Sequence, residues 1–233
     1  MFTKFFFFVF CSLAICEAQN PESQIVVMEN FVNPEVSKQL IRFYDQEKAT
    51  LNNYTDNQVV FSSGTSLQIR QVISSISKEI LKVMKQKYGL DIKKYHIDHC
   101  ALYARIAGNH CPYHADNVYF ECPIHGRDQS RLRTTCKGTC SGAKFVPNHT
   151  DWREYTALLY LNEDFEGGEI LFEDGPHNKF YKKIISIKAN MLVIAPNGPH
   201  FYHEVFRIKK GKRYSLHIWY TSDARYHNYY LSI

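Results

Sequence analysis

From Tyr95 onward the chain is a succession of short apolar runs separated by Gly, Pro and Asn turns: Ile97 to Ile106, Tyr155 to Leu161, Glu169 to Phe172, Ile184 to Ile187, Met191 to Ile194, Tyr202 to Ile208 and Arg213 to Tyr220. Many short strands with frequent turns point to a sandwich or jelly-roll barrel rather than a parallel α/β sheet. Upstream the spacing becomes helical. Asn33 as N-cap and Pro34 in the first turn open a segment carrying Val36, Leu40, Ile41 and Tyr44. A second helix is predicted from Leu67 to Tyr88, with Val72, Ile76, Ile80 and Val83 as its stripe and Gly89 as a left-handed cap. Both stripes are expected to pack on the outside of a sheet. The expectation is one mainly β domain with flanking helices: residues 19–94 as helical support, 95–222 as the core and 223–233 as a surface tail.

Within the β region, His114-Ala115-Asp116 stands out. At the end of a strand, residues i and i+2 share a face, so His114 and Asp116 can both reach one metal while Ala115 points away. His203, from a distant strand, completes the two histidines and one carboxylate by which non-haem Fe(II) oxygenases hold iron and leave its other side open. In a chain with 11 histidines, H-x-D alone also reads as a polar loop pair. The downstream segment adds weight: the run Met191 to Ile194, a turn at Pro196-Asn197-Gly198-Pro199, then His203-Glu204-Val205 and a second turn at Lys210-Gly211-Lys212. The alternating strand that follows places Arg213, Ser215, His217 and Trp219 on one face. Arg213 is suited to grip a carboxylate with two parallel charge-assisted hydrogen bonds, and Ser215 can add a donor, which implies a dicarboxylic co-substrate.

The stretches His114 to Asn117 and Glu154 to Phe172, with His203 and Gly211-Lys212-Arg213, resemble the catalytic domain of the 2-oxoglutarate- and Fe(II)-dependent prolyl hydroxylases. The prolyl 3-hydroxylase (leprecan) branch is nearest in pattern, over residues 95 to 222. The resemblance implies a double-stranded β-helix with iron at its mouth, held by His114, Asp116 and His203, and Arg213 on the distal carboxylate of 2-oxoglutarate. It favours His203 over His200, because the family separates its distal histidine from its cation by the ten residues that separate His203 from Arg213. His217 reads as a satisfied core histidine, Trp219 and Tyr220 as packing, and Gly167-Gly168 as a hairpin turn between two apolar runs. The implied activity is hydroxylation of a peptidyl proline in a Pro-rich or collagen-like protein, with Fe(II), 2-oxoglutarate, O2 and L-ascorbate. A peptidyl-lysine hydroxylase is the alternative enzyme, since His203-Glu204 and Gly211 to Tyr214 also resemble that group; a non-catalytic scaffold or chaperone retaining the barrel is the alternative of another class.

Lys4 precedes the apolar run Phe5 to Cys16, too short to span a bilayer comfortably, and the small residues around Cys16-Glu17-Ala18 suit cleavage. Residues 1–18 are therefore read as a secretory signal, with an uncleaved anchor as the alternative, and no later run suits a membrane span. Two sequons, Asn53-Tyr54-Thr55 and Asn148-His149-Thr150, agree with that route to the endoplasmic reticulum lumen or the exterior. The end, Tyr230-Leu231-Ser232-Ile233, is not a retention tetrapeptide, so residence in the endoplasmic reticulum would rest on a partner. Cys100, Cys111, Cys122, Cys136 and Cys140 remain after signal removal, an odd set that suggests two disulfides and one spare thiol.

Three of these cysteines fall in an insertion at 117–153, which begins directly after Asp116 and so leaves from the rim of the expected site. It reads as a lid or substrate-binding loop pinned by disulfide bonding. A zinc site from Cys122, His125, Cys136 and Cys140 is the rival. The basic residues Arg127, Arg131, Arg133, Lys137 and Lys144 read as solvated surface, the net charge is only +5, and no nucleic-acid motif is present.

Overall fold

The computed structural model describes residues 20–50, 57–124, 126–127, 142–175 and 181–231. The signal segment, the sequon at Asn53, His125, Cys136 and Cys140 lie outside the described residues.

Pro34–Thr50 forms helix α1 and Leu67–Tyr88 forms α2. Asn33 caps α1 by accepting from the Glu35 amide at 2.9 Å, and Gly89 closes α2 with φ 69°, its N–H returning to the Lys85 carbonyl. The buried stripe of α2 is Ile69, Ile73, Ile76, Ile80 and Met84, with Val72 and Val83 only partly buried at its flank. Two overlapping apolar stripes share Ile76 and Ile80, and the sheet takes the bulkier one. No described helix is long and apolar enough to cross a membrane.

The strands are β1 Val26–Met28, β2 Gln58–Val60, β3 His96–Ile106, β4 Cys111–His114, β5 Val118–Glu121, β6 Lys144–Pro147, β7 Tyr155–Tyr160, β8 Phe165–Gly167, β9 Ile170–Glu173, β10 Lys182–Ile185, β11 Met191–Pro196, β12 Tyr202–Val205 and β13 Ile208–Thr221. The larger sheet runs β1-β11-β7-β13-β3-β2, with β8 on an extension of β13; a second runs β10-β9-β12-β4, and β5 and β6 form a ribbon. Strand pairing is antiparallel throughout the described residues. The chain is mainly β with flanking helices, and its two principal sheets are hydrogen-bonded separately rather than as one closed barrel.

Period-2 alternation divides the large sheet into two working faces. Leu102, Leu159, Leu192, Leu216, Ile218 and Tyr220 pack outward with Leu40 of α1 and Ile73 and Ile80 of α2. Leu158, Tyr160, Met191 and Val193 face inward against Ile170, Phe172 and Val205 of the smaller sheet. Each such buried side chain contributes on the order of 1.5–3 kcal/mol. The helices therefore back the sheet from outside, and the inner face is left to form a cavity.

Three expectations change. The predicted turn at Lys210-Gly211-Lys212 lies inside a continuous β13, where the register slips between Ile208 and Lys210 as β8 is accommodated. Gly167-Gly168 does not close a hairpin between neighbouring strands: β8 pairs with β13, whereas β9 joins the smaller sheet. Gly167 has φ 78°, and a Cβ there would stand 2.4 Å from the Arg207 carbonyl oxygen, so glycine is required by a close backbone crossing. Cys100 and Cys111 are free thiols, so two disulfides do not form. The reason is placement: Cys100 is buried against the helix layer and Cys111 faces the inner cavity. The short edge strands β1, β2, β4, β5, β6 and β8 went unpredicted because three or four residues carry too little periodicity.

Candidate metal centre and adjoining cavity

Strands β4 and β12 are antiparallel neighbours in which His203 and His114 are direct partners. Their rings stand 4.3 Å apart between centroids. Asp116 follows β4 by two residues and places Oδ1 3.5 Å from His114 Nε2 and 3.9 Å from His203 Nε2. One ligand atom from each of the three lies within 4.8 Å of the others, the one cluster of this kind among the described residues. Ala115 turns the other way, into a cluster with Tyr113, Phe120, Cys122 and Tyr202 where the β5–β6 ribbon packs.

The remaining polar atoms of these side chains are occupied. His114 Nδ1 is 2.7 Å from the Pro112 carbonyl and His203 Nδ1 is 3.1 Å from the Phe201 carbonyl. N–H donation at those positions would let each Nε2, once deprotonated, turn its lone pair to a metal at the centre. Asp116 Oδ2 accepts from Thr156 Oγ1 at 2.5 Å and Trp219 Nε1 at 2.9 Å, so Oδ1 alone remains on the imidazole side. The Asp116 main-chain carbonyl accepts from Thr150 Oγ1 at 2.6 Å and Asn148 Nδ2 at 3.0 Å. Thr156 Oγ1 also lies 2.8 Å from Asn197 Oδ1, while Asn197 Nδ2 is buried without a partner. One hydroxyl hydrogen cannot serve both acceptors; a half-turn of the Asn197 amide makes Nδ2 the donor to Thr156 and satisfies both groups.

The electrostatics follow from this crowding. Burial raises the Asp116 carboxyl, but the hydrogen bond from His114 and the charges of His203 and His114 outweigh it and hold the group well below the usual carboxylate range. His203 is pushed down to about 4, by burial and then by His114. Burial also opposes charge on His114, yet its contacts with Asp116 and Cys111 prevail and raise it well above the ordinary imidazole value. In the metal-free centre the proton therefore resides on His114. Two imidazole nitrogens and one carboxylate oxygen, all aimed at one point, fit a divalent first-row metal bound on one face.

A cavity of about 210 Å³ adjoins the three ligands and is walled by Tyr103, Leu158, Tyr160, Arg213 and Trp219 among others. Arg213 is 1% exposed. Its Nη1 donates to the Gly168 carbonyl at 2.7 Å, its guanidinium stands 5.4 Å over the Tyr160 ring, and its Nε is buried without a partner. A guanidinium held in this way, charged and with a spare donor, is suited to a carboxylate. Ser215 is fully buried and not in the cavity wall; its hydroxyl lies 2.9 Å from His217 Nε2 and so orients that ring, which does line the cavity.

Sequence reasoning read Trp219 as packing, but its indole N–H anchors the Asp116 carboxylate. Arg153 sits 4.7 Å over the indole and is itself fixed by Asp98 at 2.6 Å. Alternation had already placed Trp219 on the Arg213 face; only its partner, 103 residues away, was not visible. Thr156 carried a similar signal, since it shares a face with Leu158 and Tyr160. Asn148 and Thr150, read as a sequon, tie the end of the 117–153 insertion to the backbone of Asp116.

The sequence model of the 2OG-Fe(II) oxygenase superfamily matches residues 99–221. Among curated proteins the chain is similar to prolyl 3-hydroxylase 2 of Homo sapiens, 37% identical over 83 residues, covering 36% of this chain and 11% of that protein. Prolyl 3-hydroxylase 1 of Homo sapiens is 24% identical over 169 residues, covering 69% of this chain and 20% of that protein. The chain thus spans about a tenth to a fifth of the length of these relatives. In fold it is similar to a Pseudomonas putida prolyl-4-hydroxylase, with TM-score 0.58 at 17% identity over 85% of this chain and 92% of that one. The viral collagen prolyl hydroxylase of Paramecium Bursaria Chlorella virus-1, solved as a 2OG complex, gives TM-score 0.56 at 17% identity over 89% and 98%. These neighbours share the double-stranded β-helix fold seen here.

Proposed function

Because the chain belongs to the 2OG-Fe(II) oxygenase superfamily, we propose that it hydroxylates peptidyl proline, as a 3-hydroxylase-like enzyme acting on Pro-rich or collagen-like proteins of the secretory pathway. The observation that carries this is the geometry of His114, Asp116 and His203 beside a cavity lined by Arg213, whose buried Nε has no hydrogen-bond partner. Bound Fe(II), with 2-oxoglutarate and O2, supplies the oxidation that turns a substrate C–H into C–OH while the oxo acid leaves as succinate and carbon dioxide; ascorbate keeps the metal ferrous.

The protein's own part is placement. His114 Nε2, His203 Nε2 and Asp116 Oδ1 hold the metal, and Thr156 and Trp219 keep the other Asp116 oxygen from rotating into its place. Arg213 takes the distal carboxylate of the co-substrate, and the apolar wall around Leu158 and Ile170 limits water. The identity to prolyl 3-hydroxylases supports proline and the 3-position. The apolar Phe5 to Cys16 run supports the secretory route, with a partner retaining the protein in the endoplasmic reticulum. The clustering of His114, Asp116 and His203 supports this reading over a scaffold without catalysis.

The test is incubation with Fe(II), 2-oxoglutarate, ascorbate and Pro-containing or Lys-containing peptides, with succinate release and gain of one oxygen by mass as readouts. Oxygen gain on proline coupled to succinate is expected, and His203→Ala should abolish both. Arg213→Ala should raise the KM for 2-oxoglutarate at least about 30-fold, since breaking a buried charged pair costs about 2–5 kcal/mol. Turnover of lysine peptides alone would replace the proline assignment, and absence of metal binding would remove the enzyme.

A further inference from the structure

A second arginine reaches the same cavity. Arg105 of β3 is the direct cross-strand partner of Arg213 on β13, and both side chains line the space beside the metal centre. Like charges set opposite one another on one face of an antiparallel pair repel. After burial, the Arg105 charge is among the influences that lower the Arg213 guanidinium.

Among the described residues neither arginine has a carboxylate partner; each guanidinium stands over a tyrosine ring, Arg105 at 5.7 Å from Tyr103 and Arg213 at 5.4 Å from Tyr160. Among the described residues, Arg105 Nη1 donates at 3.3 Å only to the His110 carbonyl and Arg213 Nη1 at 2.7 Å to the Gly168 carbonyl, both neutral acceptors. The Nε atoms of both arginines are buried with no hydrogen-bond partner. Asp116 is the sole acidic residue in the cavity wall, and its Oδ2 is already taken by Thr156 and Trp219. Two adjacent cations, each with an idle donor, make a receptor for an anion with more than one acceptor atom.

We propose that Arg105 is a specificity-determining residue that shares the distal carboxylate of the dicarboxylic co-substrate with Arg213, the two forming a cross-strand clamp. The clamp rests on the 2-oxoglutarate reading of the cavity. Arg213 supplies the grip from the strand that also carries Trp219. Arg105 supplies a second set of donors and the charge that makes a neutral chain end unfavourable. The clamp selects a diacid over a monoacid of equal length, and it is open to competition by small multivalent oxyanions such as sulfate.

The experiment is calorimetric binding of 2-oxoglutarate and of 2-oxopentanoate, the same five-carbon chain without the distal carboxylate, to the Mn(II)-loaded full chain without oxygen. Wild type is compared with Arg105→Met and Arg105→Lys, with Mn(II) affinity and circular dichroism as folding checks. Arg105→Met should weaken 2-oxoglutarate about 10-fold or more, as loss of a charge-assisted hydrogen bond does, and leave 2-oxopentanoate unchanged, while Arg105→Lys recovers part of the loss. Equal weakening of both ligands, or no change in either, overturns the clamp. So does an effect confined to acidic peptide substrates, which would move Arg105 to the substrate path. If wild type binds Mn(II) but neither ligand, the co-substrate reading fails and takes the clamp with it; if wild type binds 2-oxoglutarate and Arg105→Met binds it equally well, the clamp alone fails.

Discussion

At the scale of single residues, Asp116 concentrates the constraints. One oxygen is tied by a hydroxyl and an indole N–H, its carbonyl by an amide and a second hydroxyl, and only Oδ1 is left for a metal. Groups that orient a ligand typically account for 10–100-fold in metal affinity. Thr156→Val and Trp219→Phe should each weaken Mn(II) or Co(II) by about that factor in a direct titration, and unchanged affinity in both would show the Oδ2 anchors to be idle. Proton linkage gives a second expectation at this scale. With His114 raised and His203 at about 4, metal entry must displace a proton from His114. Affinity should therefore rise with pH for as long as His114 is protonated, releasing about one proton per metal ion. Calorimetry in two buffers of different ionisation heat measures that number, and a value of zero would contradict the arrangement. The clustering of His114 with Asp116 was legible because residues i and i+2 are a local signal, while His203 was singled out by the spacing to Arg213 that the family resemblance implies. The anchors were not, because hydrogen bonding between positions 116, 156 and 219 has no local signature.

At the scale of elements, β13 does most of the positioning. Its outward residues Tyr214, Leu216, Ile218 and Tyr220 belong to the helix-side core, and its inward residues include Arg213, His217 and Trp219. The alternation from Arg213 to Tyr220 was plain in the sequence. The start of the strand was misplaced because Lys210-Gly211-Lys212 has the composition of a turn, whereas pairing with β8 carries the strand through it with Gly211 at φ 81°. The same crossing accounts for Gly167, whose left-handed backbone admits the Arg207 carbonyl. Gly167→Ala should destabilise the protein by about 1–3 kcal/mol, read as a lower denaturant midpoint with an unchanged slope. A neutral result would mean that the crossing relaxes freely. In α2, the end of the helix was legible from Gly89, but its rotation was not, because two stripes competed for one sheet.

At the scale of the whole molecule, a fold class read from strand spacing proved sufficient: two antiparallel sheets, helices on one outer face, and a cavity between. What composition could not supply was the assignment of short edges to sheets, which depends on pairings between distant segments such as β4 with β12. Because the three ligands come from β12 and from the end of β4 and the loop that follows it, metal should hold the smaller sheet together. Mn(II) at about 100 times its Kd should add about 2.7 kcal/mol to unfolding. Calorimetric melting with and without metal checks this, and an unshifted melting temperature would place the ligands in a region that opens independently.

Between Lys212 and Trp219 the ladder of β13 on β3 runs without a register shift. At about 3.3 Å per residue, the six steps from Arg213 to Trp219 fix a span of roughly 20 Å that side-chain breathing does not alter. One end of this rod carries Arg213 and the other carries the indole that holds the Asp116 carboxylate, so backbone pitch serves as a caliper between them.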